Sequence, residues 1–331
     1  MGVKRLLAVE LRRLFSRRLV VLSMVGAVLA SALVLLGAWD AAEPMSPDER
    51  AVAEKAYEEE LAHWEENGEE IVAQCREDEA AEAEATGEHV DYDCDGWGPP
   101  EREWYVWTAP PVEESLPGYV AGYAQILVLA ALLVGATFTA AELTTGAMTT
   151  WLSFEPRRLR VYGSKVLAAA LGTVPFALAG TALVVAGVYV IGNHFGLAGG
   201  MGGAEWTGVA WTSARAVVLT VAAALVGAAL GFLLRHTAAV LGLAFVYLIG
   251  EQLLRGLVPA TAPWVLGTNI EGWLLRGTTY GIEECTTDAT GTMCEYTERA
   301  LSFGHSAAYL LVVVLVVTAL AAVVFRRRDA A

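Results

Sequence analysis

Apolar residues along the chain collect into six long runs separated by polar segments: Val20–Trp39, Tyr119–Ala141, Val166–Ile191, Val209–Leu234, Ala238–Val258 and His305–Phe325. A helix crossing a hydrocarbon core of roughly 30 Å needs about 20 such residues, and every run reaches that length. Backbone in lipid must satisfy its own hydrogen bonds, which a helix does locally. The pattern predicts an all-α polytopic membrane protein with six transmembrane helices. Ahead of the first run, Val3, Leu6, Leu7, Leu11, Leu14 and Phe15 recur at helical spacing, with Lys4, Arg5, Arg12 and Arg13 largely off that stripe. Residues 1–18 therefore read as an amphipathic interfacial helix lying in the headgroup layer, apolar face down.

The polar segment 40–118 opens with Ser46-Pro47-Asp48-Glu49. Serine as N-cap, proline in the first turn and glutamate at the third position form a capping box. A helix is expected through about Asn67, with Ala53, Tyr57, Leu61 and Trp64 on one stripe, and a second helical piece around Ile71, Val72 and Cys75. The acidic tract Glu77–Glu88 reads as solvated rather than folded on itself. The Trp-, Pro- and Tyr-rich stretch 97–117 is expected to pack on the helices or rest at the membrane interface. Pro175 should break or bend the third span unless neighbours compensate, and Gly227-x-x-x-Gly231 in the fourth marks a close helix contact. Residues 196–203 form a Gly-rich loop, and 259–304 a second long polar loop before the last span.

Composition agrees with the pattern: 55% of residues are hydrophobic and mean hydropathy is +0.47, beyond the usual soluble domain. Scarce lysine (Lys4, Lys55 and Lys165) beside abundant alanine suggests a bacterial source of high GC content. Charge then orients the spans. Residues 40–118 carry 25 acids and 4 bases, whereas the rest of the chain is mildly basic. Lys4, Arg5, Arg12, Arg13, Arg17 and Arg18 precede span one; Arg157, Arg158, Arg160 and Lys165 follow span two; Arg235 follows span four; Arg326, Arg327 and Arg328 follow span six. By the positive-inside rule, both termini (including the tail 326–331) and the 142–165 loop are cytoplasmic in the cell membrane, and the acidic insert is extracellular. A basic leader, an apolar run and Ala30-Ser31-Ala32 also resemble a signal peptide, but the run continues to Trp39, which favours an uncleaved anchor. All four cysteines fall on the outward side, which fits two disulfides, Cys75–Cys94 and Cys285–Cys294, paired within their loops.

The 142–165 segment carries the most specific signal. Glu142 ends span two, a short amphipathic piece presents Met148, Trp151 and Leu152, and Pro156 forces a turn before a basic cluster. Here the chain resembles the permease subunits of ABC-2-type transporters. Their pattern is a Glu ending span two, a Gly a few residues on, a short helix, Ser-x-Pro-x-Arg, and Gly-Lys-Leu opening the next span. Glu142, Gly146, Ser153, Pro156, Arg158, Gly163 and Lys165 occupy those positions, with Phe154-Glu155 before the proline and an extra serine before the lysine. The Arg235-containing turn between spans four and five, the six-span count and the amphipathic leader also fit; the acidic insert lies outside the resemblance. It implies that Glu142, Gly146, Trp151, Leu152, Phe154, Pro156, Arg157, Arg158 and Lys165 form a coupling loop for a separate cytoplasmic ATPase, which binds ATP and Mg. It also implies a homodimer or a related permease as second body. The arginines could meet partner carboxylates or lipid phosphates, or serve as topology markers only.

Other candidates are weaker. Glu251 and Arg255, four apart in span five, read as an ion pair on one helix face, with Arg215 of span four able to share Glu251; a gate or substrate contact and a structural clasp both fit. Asp91, Asp93 and Asp95 before Gly96 start like a calcium loop, which then fails where Arg102 stands for the bidentate glutamate. No GxxxxGK[ST] occurs, so the chain binds no nucleotide by that route. His63, His89, His194, His236 and His305 are scattered, no Ser/His/Asp set or metal spacing is present, and no basic patch suits nucleic acid. The expectation is a non-enzymatic permease subunit of an ATP-driven exporter. The alternative is a membrane-anchored sensor whose acidic ectodomain recognises a cationic ligand or ion.

Overall fold

The computed structural model describes residues 3–87, 89–288 and 291–327, with side chains described for all of these except 3–4 and 283–295. In chain order the elements are α1 (Val3–Phe15), α2 (Arg18–Ala42), α3 (Pro47–Thr86), α4 (Val112–Thr144), α5 (Ala147–Phe154), α6 (Arg158–His194), α7 (Gly203–Leu234), α8 (Thr237–Leu257), α9 (Leu266–Leu275), β1 (Gly277–Asp288), β2 (Gly291–Ser302) and α10 (Phe303–Arg327). They fall into two units. One holds Met1–Ala41, Pro111–Tyr280 and Ala300–Ala331; the other holds Ala42–Pro110 and Gly281–Arg299.

In the first unit α2, α4, α6, α7, α8 and α10 are long and apolar enough to cross a membrane. The six apolar runs lie on these helices, with Val258 alone just beyond its helix end. The chain is a predominantly helical polytopic protein. Its centre is α4 against α7, with α6 beside both. The Gly227/Gly231 pair makes that contact: a Cβ on Gly231 would sit 2.9 Å from the Ala136 carbonyl oxygen of α4. Backbones at that approach let the Thr139 hydroxyl donate across the seam to the Ala228 carbonyl at 2.9 Å, the kind of packing small residues give in lipid. Two further hydroxyls tie the bundle: Tyr123 of α4 donates to Ala27 O of α2 and Tyr162 of α6 to Thr318 O of α10, both at 2.7 Å. α6 runs unbroken through Pro175. On α8 and α10, by contrast, large apolar side chains such as Phe245, Val246, Leu311 and Leu315 stay exposed, as surfaces toward lipid require.

Two expectations change. The α1 stripe is turned in part onto α6: Leu6 and Leu14 are buried while Phe15 stays exposed, and Gly172 of α6 leaves room for Leu14 and Leu11. Packing on a neighbouring helix removes the same apolar surface without a membrane. The 259–304 segment is not a plain loop. It contains a turn of 3₁₀ helix over Pro259–Trp264, then α9, then β1 and β2 paired in a two-stranded sheet.

In the second unit, α3 is one continuous helix of 40 residues rather than a helix to Asn67 with a separate piece after it; it takes in the acidic tract through Thr86, whose side chains stay largely exposed. The reciprocal Ser46–Glu49 capping box starts it and Gly87, with φ 71°, ends it. Alanine and glutamate throughout the acidic tract are strong helix formers. Lys55–Glu59 and Arg50–Glu54 add i,i+4 pairs, and the Trp64 ring covers Gly68. The Cys75–Cys94 disulfide forms, with Cα atoms 5.8 Å apart. The returning chain is further held to α3 by Arg76 on Asp95 at 2.5 Å and by Arg102 on Glu54. The side chains of Cys285 and Cys294 lie outside the described residues.

Candidate functional site

Around the start of α6, three buried charges, Glu10, Glu142 and Lys165, meet two half-buried arginines, Arg13 and Arg17. Lys165, on the second turn of α6, is fully buried. Its ammonium lies 2.8 Å from Glu10 Oε2 of α1 and 2.5 Å from Glu142 Oε2 at the end of α4. Glu10 is 0% and Glu142 2% exposed, so neither carboxylate has water to fall back on. Arg17, in the short link between α1 and α2, completes the set: it donates to Glu142 Oε1 at 2.8 Å and to Thr137 O at 3.3 Å. Arg13 stands farther out, 3.7 Å from Glu10 and 4.0 Å from Glu142. Three bases against two acids leave one surplus positive charge.

Aromatic rings close the cluster. The Phe138 ring lies under both Lys165 Nζ (4.8 Å) and the Arg17 guanidinium (5.5 Å), and Trp151 of α5 lies under Arg13 at 4.6 Å. Each is a cation–π contact, strongest where water is excluded. The short helix α5 is thus attached to α1 through Trp151 and to the core through Met148, which is buried. Gly146 makes this possible: at φ 73° it turns the chain sharply between α4 and α5, a conformation open to glycine at little cost. Pro156 sits in the break before α6, as its missing N–H demands.

The structure brings Glu142, Lys165 and Trp151 together and leaves the rest of the sequence-derived set around them. Leu152 packs on the core; Phe154 is 78% exposed at the end of α5. Arg157 is exposed just before α6, and Arg158 opens that helix. Sequence reasoning read Arg13 and Arg17 only among the basic residues that orient span one, and it missed Glu10 altogether. Its signal was there: Leu6, Glu10 and Leu14 recur every four residues, so a carboxylate interrupts the buried stripe.

At α8 the expected Glu251–Arg255 pair is only a 4.0 Å contact. Glu251 instead accepts the Gly267 N–H at 2.8 Å, while the Tyr247 hydroxyl accepts the Leu266 N–H at 2.8 Å. The two side chains satisfy the open N-terminus of α9, which is the clasp reading. Arg215 has no contact with Glu251; its Nη2 donates to Thr212 Oγ1 at 2.9 Å. The three aspartates do not converge: Asp91 accepts the Asp93 N–H at 2.8 Å, and Asp95 is taken by Arg76. Among the described residues no group of three or more His, Cys, Asp or Glu is placed to hold a metal ion. Neither protein-family models, curated proteins nor solved structures give a match to the chain.

Proposed function

We propose that the chain is the permease subunit of an ABC-2-type exporter, driven by a separate ATP-hydrolysing subunit that docks on α5. The observation that carries this reading is the attachment of α5. A helix of eight residues between two spans, tied through Trp151 to a cluster of three buried and two half-buried charges, is placed to pass force into that cluster. Pushing α5 moves Trp151 against Arg13 and Met148 against the core. The ion pairs then pass the displacement to the end of α4, the start of α6 and α1 together. The exposed Phe154, with Leu159 and Arg157 beside it, is what remains for an apolar groove rimmed by acids. Docking there requires α5 on the cytoplasmic face, with the acidic insert outside, and the pathway requires a second permease body, supplied by another copy or a relative.

The test is co-purification with a co-expressed P-loop ATPase, sought first among neighbouring reading frames. Phe154→Ala and Arg157→Glu should each weaken the complex at least about tenfold, as loss of a buried anchor residue at an interface does, while the permease stays monodisperse. Undiminished binding in both variants, or labelling of a cysteine at position 154 by an impermeant reagent from outside intact cells, overturns it.

A further inference from the structure

The five-charge cluster sets a contrast. Arg13, Arg17, Lys165 and Arg255 each have a carboxylate within 4.0 Å. Arg215 has none among the described residues. It lies six residues into the apolar run that starts at Val209, about 9 Å along the helix. A cation at that depth is costly unless something negative or wet meets it. The guanidinium has five N–H donors. Thr212 Oγ1 takes Nη2, and Nε is buried with no acceptor at all.

A second cation stands close by. Trp273 of α9 donates its indole N–H to the Arg215 carbonyl at 3.1 Å, which pins the last turn of α9 against this turn of α7. Arg276, three residues on, ends α9 in the left-handed region at φ 68° and is exposed, with no ion-pair partner among the described residues. The acid nearest in sequence, Glu271, accepts the Thr278 hydroxyl at 2.9 Å and pairs with neither arginine. Other buried polar atoms lie elsewhere on α9 and on α10. Asn269 Oδ1, Thr268 Oγ1 and Ser306 Oγ are buried without hydrogen-bond partners, although a Cβ on Gly272 would touch Ser306. Buried polar donors are normally satisfied, so Arg215 Nε, buried without an acceptor among the described residues, is available to an anion.

We propose that Arg215 and Arg276 form a binding site for a phosphate-type anion where α7 meets the C-terminal end of α9. Arg215 supplies the buried prong through Nε and its free Nη, and Arg276 the exposed one. Guanidinium forks match phosphate oxygens in a bidentate way. The half-buried setting suits either the headgroup of an anionic lipid or a soluble phosphate. The site does not depend on the transport reading, because it would bind with no ATPase present.

The experiment uses the detergent-purified full chain in two arms. One measures equilibrium binding of radiolabelled inorganic phosphate. The other measures retention of phosphatidylglycerol against phosphatidylcholine by native mass spectrometry. Preference for phosphatidylglycerol alone assigns a lipid headgroup, and saturable inorganic phosphate alone assigns a soluble ligand. Arg215→Gln and Arg276→Gln should each weaken that binding about tenfold or more, as loss of a charge-assisted hydrogen bond does, with Arg215→Lys retaining part of it. Arg255→Gln, away from the site, should bind as wild type. Should Arg215→Gln prove poorly folded, Arg276→Gln, exposed and outside the span, decides. No binding in either arm, or binding unchanged in Arg276→Gln and Arg215→Gln, overturns the site.

Discussion

Lys165 shows how much one residue holds. Among the described residues its ammonium is the only cation within 3 Å of Glu10 Oε2, and it reaches Glu142 Oε2 as well. Removing it leaves two buried carboxylates facing each other. Breaking a buried pair from one side costs about 3–5 kcal/mol, whereas removing both partners is often nearly neutral. Lys165→Met should therefore lower the apparent unfolding temperature strongly. Glu10→Gln with Lys165→Met should recover much of that loss, because Glu142 keeps Arg17 at 2.8 Å. Thermal unfolding of both variants in detergent checks the non-additivity; a double variant as unstable as the single would contradict the pairing. Glu142 and Lys165 were legible from the loop pattern. Glu10 was not read: its place on the α1 stripe marks it as buried, but its partner stands 155 residues away, and local spacing does not name a partner that distant.

At the scale of elements, α3 differs most from its sequence-based expectation. The capping box fixed its start, yet the acidic run read as a solvated tract rather than as part of the helix. Propensity won because side chains on an exposed helix keep their hydration, so like charges repel only weakly. The same exposure makes the helix sensitive to acid. The Ser46 hydrogen bonds hold the Glu49 carboxyl below its ordinary value of 4.5, and the Arg102 hydrogen bond does the same for Glu54. A carboxylate with a depressed folded pKa stabilises above its unfolded pKa, and that contribution is lost as pH falls through the folded value. Hydrogen exchange across Pro47–Glu54 should speed up relative to the rest of α3 once pH drops below about 4.5. Ser46→Ala, whose cap is worth about 1 kcal/mol, should show the faster exchange already at neutral pH. Equal protection in wild type and Ser46→Ala would remove the cap from this account. The 259–304 segment was illegible for another reason. Its α9 is held by Glu251 and Tyr247 from α8 and by Tyr309 and His305 of α10 on the Trp264 and Pro263 carbonyls. None of those partners is local.

For the whole bundle, the question is which helices move as one body. Hydropathy located the spans but is silent on their neighbours, since every span looks equally apolar to lipid. The Gly227-x-x-x-Gly231 pattern announced a close contact without naming α4 as its other side. With that side known, α4 and α7 behave as a single beam: Gly135, Gly227 and Gly231 bring the two backbones together and Thr139 bonds across them. Displacement entering through Glu142 at one end of α4 must then carry α7, and Arg215 with it. The seam is testable on its own. A side chain at Gly231 would press on Ala136 O at 2.9 Å and Ala140 N at 3.2 Å, backbone atoms that cannot step aside without parting the helices. Overpacking typically costs about 1–3 kcal/mol even where side chains can yield. Gly231→Leu should therefore abolish monodisperse protein in size-exclusion chromatography, with Gly231→Ala intermediate. Val218→Leu, on the exposed face of the same helix, should elute as wild type. A well-behaved Gly231→Leu would mean that α4 and α7 slide independently, and a push on α5 would then end in α4 without reaching Arg215.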